Sequence, residues 1–82
     1  MATGKHIVIT GSTKGIGYGL AEHFLRRGCS VTVSGRGLEA ASQAAARLRS
    51  KVEAANVLAL ACDVTDSVQV QQLWDRSVAH FG

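Results

Sequence analysis

The stretch Ile7-Val8-Ile9-Thr10-Gly11-Ser12-Thr13-Lys14-Gly15-Ile16-Gly17-Tyr18-Gly19 places four glycines in nine residues directly after an apolar run. Glycine loses more backbone freedom on folding than any other residue, so this density is unfavourable unless the backbone must be bare there. Ile7 to Thr10 reads as a buried strand that stops at glycine. After the loop, Ile16, Leu20, Ala21, Phe24 and Leu25 recur at helical spacing, and Arg26-Arg27-Gly28 supplies a basic last turn with a glycine stop. The unit is strand, glycine loop, helix.

The same unit recurs along the chain. Val31 and Val33 lie in a second short strand that stops at Gly35, and Leu38, Ala41, Ala45 and Leu48 mark one face of an alanine-rich helix. Val57 to Ala61 is a third apolar strand. It leads through Cys62-Asp63-Val64-Thr65-Asp66 into a last helix, capped by Thr65 or Asp66, with an expected buried stripe of Val70, Leu73, Trp74, Val78 and Phe81. The order β-α-β-α-β-α is most easily satisfied by a parallel sheet with right-handed crossovers, an α/β architecture.

Composition restricts the alternatives. The 82 residues contain no proline, 46% hydrophobic and 18% charged side chains, which excludes a disordered or repeat sequence and allows at most one domain. The net charge of +3 is densest at Arg47, Arg49 and Lys51, late in the second helix. No aromatic residues interleave with these bases, so they are expected on a solvated face rather than at a nucleic-acid surface.

Cys29 and Cys62 lack the spacing of a metal or redox motif, and reduced, buried thiols in a cytoplasmic protein are expected. The first residues show no signal-peptide pattern, and the longest apolar run, Val57 to Cys62, is too short to span a bilayer. His6, His23 and His80 have no ligand spacing, and no metal site is expected.

The loop points to an anion. Amides at the start of the helix near Ile16 have no intrahelical acceptors, and with the helix dipole they attract negative charge. Gly11 would permit the tight turn out of the strand, Gly15 the close approach of a phosphate, and Gly17 close packing of helix on sheet; Gly19 is expected to serve helix packing. The spacing GxxxGxG is neither the GxGxxG fingerprint nor a Walker loop. Both dinucleotide binding and a purely structural glycine turn are open on these residues alone.

Thr10-Gly11-Ser12-Thr13-Lys14-Gly15-Ile16-Gly17 resembles the TGxxxGIG signature of the short-chain dehydrogenase/reductase (SDR) family. Gly35-Arg36 after the second strand, Cys62-Asp63-Val64-Thr65-Asp66 after the third, and the terminal Phe81-Gly82 extend the resemblance along the whole chain. It covers about the first third of a family member. The resemblance implies half of a Rossmann fold, with three parallel strands in the order 3-2-1 and flanking helices, in which residues 1–82 form an incomplete NADP-binding portion.

For this chain it implies cofactor contacts at Gly11, Ser12, Thr13, Lys14, Gly15, Ile16, Gly17, Arg36, Asp63 and Val64. In the family an acidic residue after the second strand binds the adenosine ribose of NAD and repels a 2'-phosphate. Here no carboxylate occurs between Glu22 and Glu39, while Arg36 and Lys14 offer positive charge. A guanidinium can hold a phosphate bidentately. NADP(H) rather than NAD(H) is therefore expected, with both bases as plain solubilising charges the alternative. Asp63 corresponds to the aspartate that accepts a hydrogen bond from the adenine amino group, the next residue's backbone touching the ring; Asp63 could also help to cap the last helix.

The family reaction transfers hydride between nicotinamide and a carbonyl or alcohol carbon, using a tyrosine, a lysine four residues on, and a serine. The one tyrosine here, Tyr18, is followed four positions on by Glu22, and the family's Asn-Asn-Ala-Gly segment is absent. No catalytic residue is assigned, and the 82 residues alone are expected to be inactive. The resemblance also implies a homo-oligomer for a full-length member, acting on a small-molecule substrate with no nucleic acid or membrane partner. A non-catalytic nucleotide-binding or subunit-pairing α/β module is the alternative function. In a sheet built this way the first strand is left with an unpaired edge, so the isolated polypeptide is expected to self-associate.

Overall fold

The computed structural model describes residues 5–11 and 15–81; Ser12, Thr13 and Lys14 of the glycine loop lie outside them. Strand β1 (His6–Ile9) leads into α1 (Gly15–Arg26), β2 (Ser30–Gly35), α2 (Leu38–Lys51), β3 (Val57–Ala61) and α3 (Ser67–Phe81). The helix α1 ends as its glycine stop requires. Gly28 takes φ +85°, its N–H donates to the Leu25 carbonyl at 3.0 Å, and the Cys29 N–H donates to the Phe24 carbonyl at 3.0 Å. A left-handed residue there lets the chain turn back while satisfying two of the helix's last carbonyls.

The three strands form one parallel sheet with β2 in the centre, the order expected from the sequence. Ile7 and Ile9 pair with Val31 and Val33, which pair in turn with Val57 and Ala59. These six positions share a face because side chains alternate along a strand. With Ala21 and Leu25 of α1 and Ala45 and Leu48 of α2 they make the larger core. Ala41, Ala44 and Ala45 are fully buried, so their small side chains bring α2 close to the sheet.

The opposite face carries Val8, Leu58, Leu60 and Cys62, covered by Leu73 of α3. It is also the polar face. Thr32 and Ser34 are buried in its middle, where the His6 Nε2 lies 3.0 Å from the Thr32 Oγ1 and the Ser34 hydroxyl donates to the Ile9 carbonyl at 3.1 Å. Both cysteines are buried and free, as expected. Among the described residues no helix is long and apolar enough to cross a membrane.

The structure corrects the apolar stripes in several places. On α3 only Leu73 of the expected stripe is buried; Ser77 joins it, with its hydroxyl donating to the Leu73 carbonyl at 2.7 Å, and Phe81 is half-buried against the His6 ring. Val70, Trp74 and Val78 form the next line round the helix and remain exposed, Trp74 at 53%. A small side chain whose hydroxyl is satisfied within its own helix can be buried there, and hydrophobicity alone cannot mark it. Ile16 and Leu38, at the first turns of their helices, are likewise exposed.

One further expectation changes. Among the described residues, a side chain built on Gly19 would meet nothing within 4 Å, so helix packing does not require glycine there. The basic group on α2 is exposed, as expected, and also makes contacts: Arg47 and Lys51 each sit 5.2 Å from the centre of the Tyr18 ring, and the Arg49 guanidinium donates to the Val57 carbonyl at 2.9 Å. Two cations over one ring tie α2 to α1 by attraction to the ring's negative face. Lys51 also lies 3.8 Å from Glu22 of α1.

Candidate functional site

In a parallel sheet every strand leaves by the same edge. The segments after β1, β2 and β3 therefore all emerge together, and each carries residues singled out by the sequence. Gly11 follows β1, Arg36 follows β2, and Asp63 and Val64 follow β3. The Cys62 N–H donates to the Gly35 carbonyl at 2.8 Å, which ties the exit of β3 to that of β2. Open parallel sheets bind ligands outside this edge.

The glycines explain the first part of the edge. Gly11 has φ +61° and Gly15 φ +68°, a region in which residues with a Cβ are strained. Among the described residues, a Cβ built at either would meet nothing within 4 Å. Backbone conformation therefore selects glycine at both positions. The first turn of α1 holds no acidic residue. The amides of a helix's first turn have no intrahelical acceptors, and with the positive end of the dipole they favour an anion there. Gly17 lies in the same turn, and Ile16 beside it is 85% exposed.

Asp63 supplies the acceptor at the other end. Its Oδ1 accepts from the Thr65 hydroxyl at 2.7 Å and from the Thr65 N–H at 3.0 Å. These two bonds hold the Asp63 carboxyl below the usual carboxylate range, and the nearby Arg36 guanidinium adds a smaller pull in the same direction. Arg36 and Asp63 are 27 positions apart in sequence, and the pairing of Gly35 with Ala61 brings them into electrostatic contact. Val64 beside Asp63 is exposed.

Asp66, not Asp63, caps α3. Its Oδ1 accepts from the Val68 N–H at 2.9 Å and the Gln69 N–H at 3.4 Å, satisfying amides of the first turn. Gln69 then reaches back: its Oε1 accepts from the Asp63 N–H at 2.8 Å, and its Nε2 donates to Asp66 Oδ2 at 3.3 Å. The sequence reading missed Thr65 and Gln69 as parts of this site. The signal for Gln69 was the Asp66-x-x-Gln69 spacing, which is that of a capping box.

Residues 5–82 match the profile of the short chain dehydrogenase family over nearly all of the chain. This chain belongs to that family. A 15-hydroxyprostaglandin dehydrogenase [NAD(+)] of Macaca fascicularis is 38% identical over 79 residues, covering 96% of this chain and 30% of its own. The L-sorbose reductase from Gluconobacter frateurii, solved with NADPH and L-sorbose, is 33% identical over 99% of this chain and 30% of its own, with a TM-score of 0.88. An actinorhodin polyketide ketoreductase solved with NADPH is 28% identical over all of this chain and 31% of its own, with a TM-score of 0.89. The chain thus spans about a third of the length of these short-chain dehydrogenases. These relatives divide between NAD(+) and NADPH, so membership of the family leaves the nucleotide to be argued from the residues.

Proposed function

We propose that this chain forms the NADP(H)-binding segment of a short-chain oxidoreductase that transfers hydride between a nicotinamide and a carbonyl or alcohol carbon. The observation that carries the reading is the convergence of the α1 N-terminus at Gly15, a cation at Arg36 and an ionised acceptor at Asp63 at one end of the sheet. In this reading Gly11, Ser12, Thr13, Gly15, Ile16 and Gly17 hold the pyrophosphate, with the backbone rather than side chains in contact. Arg36 and Lys14 hold the 2'-phosphate, while Asp63 and Val64 meet the adenine.

The nicotinamide supplies the hydride chemistry when it is bound. The residues of this chain bind and orient, and none of them is assigned to proton transfer. Tyr18 supports that division: it lies within α1, its hydroxyl is buried without a hydrogen-bond partner among the described residues, and its ring is covered by Arg47 and Lys51. The choice of NADP(H) rests on charge. Each charge-assisted hydrogen bond to the 2'-phosphate is worth roughly 1.5–3 kcal/mol, or about a tenfold to hundredfold preference.

Equilibrium titration of the whole protein with NADPH and with NADH tests the proposal. NADPH is expected to bind at least about tenfold more tightly. Tighter binding of NADH would overturn the nucleotide assignment, and binding of neither would overturn the cofactor reading itself.

A further inference from the structure

The clasp between β3 and α3 is more elaborate than a helix cap requires. Capping α3 needs only the Asp66 carboxylate, whose Oδ1 already receives both the Val68 and the Gln69 amides. The Gln69 side chain adds nothing to that count. It spans six residues back to the Asp63 N–H and braces itself on the second oxygen of Asp66. The direction of its amide is set by chemistry: a carbonyl oxygen must meet the Asp63 N–H, and an NH2 must meet a carboxylate. Turned over, it would place donor against donor and acceptor against acceptor.

The effect falls on Asp63. Its neighbour Cys62 is pinned to Gly35 through the backbone, and its own N–H is pinned by Gln69. Its carboxylate is turned by Thr65, which occupies Oδ1 twice. Among the described residues Oδ2 then has no hydrogen-bond partner and remains available to a ligand. The backbone and side chain of this half-buried acceptor are therefore both fixed before any ligand arrives.

We propose that Gln69 is a positioning residue for adenine recognition, holding Asp63 so that its uncommitted Oδ2 meets the exocyclic amino group of the base. The inference rests on the reading of Asp63 as the adenine acceptor. It predicts discrimination between adenine and hypoxanthine, which carries an oxygen where adenine has the amino group and so offers Asp63 an acceptor instead of a donor.

The test measures dissociation constants of the whole protein for NADPH and for its hypoxanthine analogue. The unaltered protein is expected to favour NADPH by roughly tenfold or more. Gln69→Leu is expected to narrow that ratio to about two- to threefold, chiefly by weakening NADPH. Gln69→Glu keeps an oxygen for the Asp63 N–H but sets its second oxygen against Asp66 Oδ2, so it is combined with Asp66→Asn, whose NH2 restores that contact; the double variant is expected to restore most of the ratio. Should Gln69→Leu fail to fold, Gln69→Asn, one methylene too short to span the turn, carries the same expectation.

Equal weakening of both nucleotides, or no change in either, would reduce Gln69 to a structural cap and overturn the inference while leaving the cofactor reading intact. An unaltered protein that binds both nucleotides equally would also overturn it, because Asp63 would not then read the amino group. If neither nucleotide binds, the inference fails together with the cofactor reading.

Discussion

Replacing Arg36 with alanine isolates the charge argument. Gly35 pairs with Ala61, so Arg36 and Asp63 leave adjacent strands about 4.8 Å apart in the hydrogen-bonding direction. At that spacing Arg36 serves two partners: it lowers the Asp63 pKa, and in the proposed complex it holds the 2'-phosphate. The first role is the minor one, since the two Thr65 bonds that dominate the Asp63 shift survive the substitution. The second role involves at least one charge-assisted hydrogen bond, roughly 1.5–3 kcal/mol, which raises the NADPH dissociation constant by about tenfold to hundredfold.

NADH has no 2'-phosphate, and its affinity is expected to change by no more than about twofold, because a surface charge acting through solvent contributes little. Fluorescence or calorimetric titration of Arg36→Ala at two salt concentrations reads both numbers. The salt dependence of NADPH binding should also become shallower, since one charge has left the contact. Equal loss for NADPH and NADH would refute the reasoning, showing that Arg36 shapes the site instead of reading the phosphate.

Gly15→Ala would strain a backbone held at φ +68° by about 1–2 kcal/mol, visible as a lowered midpoint in urea, with no clash among the described residues to add to it. If the space above Gly15 receives phosphate, NADPH affinity falls further than that loss of stability explains; unchanged affinity would remove Gly15 from the contact. His6 provides a pH dependence: burial, and secondarily the neighbouring His80, depress its pKa below 6.5, so its contribution is fully present above that value. Stability declines as the pH falls from 6.5 through the folded pKa, and thermal melts of His6→Gln should lose that part of the decline. The isolated 82-residue polypeptide exposes Ile16, Leu20, Val70, Trp74 and Val78, and β1 pairs on one side only among the described residues. It is expected to self-associate, and light scattering that showed a stable monomer would contradict this.

How much of this was legible in the sequence depended on the range of the interaction. The alternation of short apolar runs with helical patterns is local, and it set six elements in order, down to the left-handed Gly28 that ends α1. The glycine loop was legible for the same reason: a backbone at positive φ restricts residue type at that position, whatever surrounds it. Helix faces were harder, because burial depends on which neighbour arrives and at what distance. Hydropathy set Val70, Trp74 and Val78 beside Leu73 in the buried stripe of α3, whereas the buried pair is Leu73 and Ser77. The bases of α2 are exposed as their pattern indicated, but only α1 could place the Tyr18 ring beneath Arg47 and Lys51.

The candidate site divides in the same way. Residue types at Gly11, Gly15, Arg36 and Asp63 could be named from short motifs, and the nucleotide preference could be argued from the missing carboxylate between Glu22 and Glu39. Tertiary structure alone put Arg36 beside Asp63, because contact across 27 positions exists only once β2 and β3 pair in parallel and in one register. It alone brought the Gln69 amide oxygen back to the Asp63 N–H. Sequence determined the chemical groups that the edge of the sheet could offer; the register of the strands decided which of them meet.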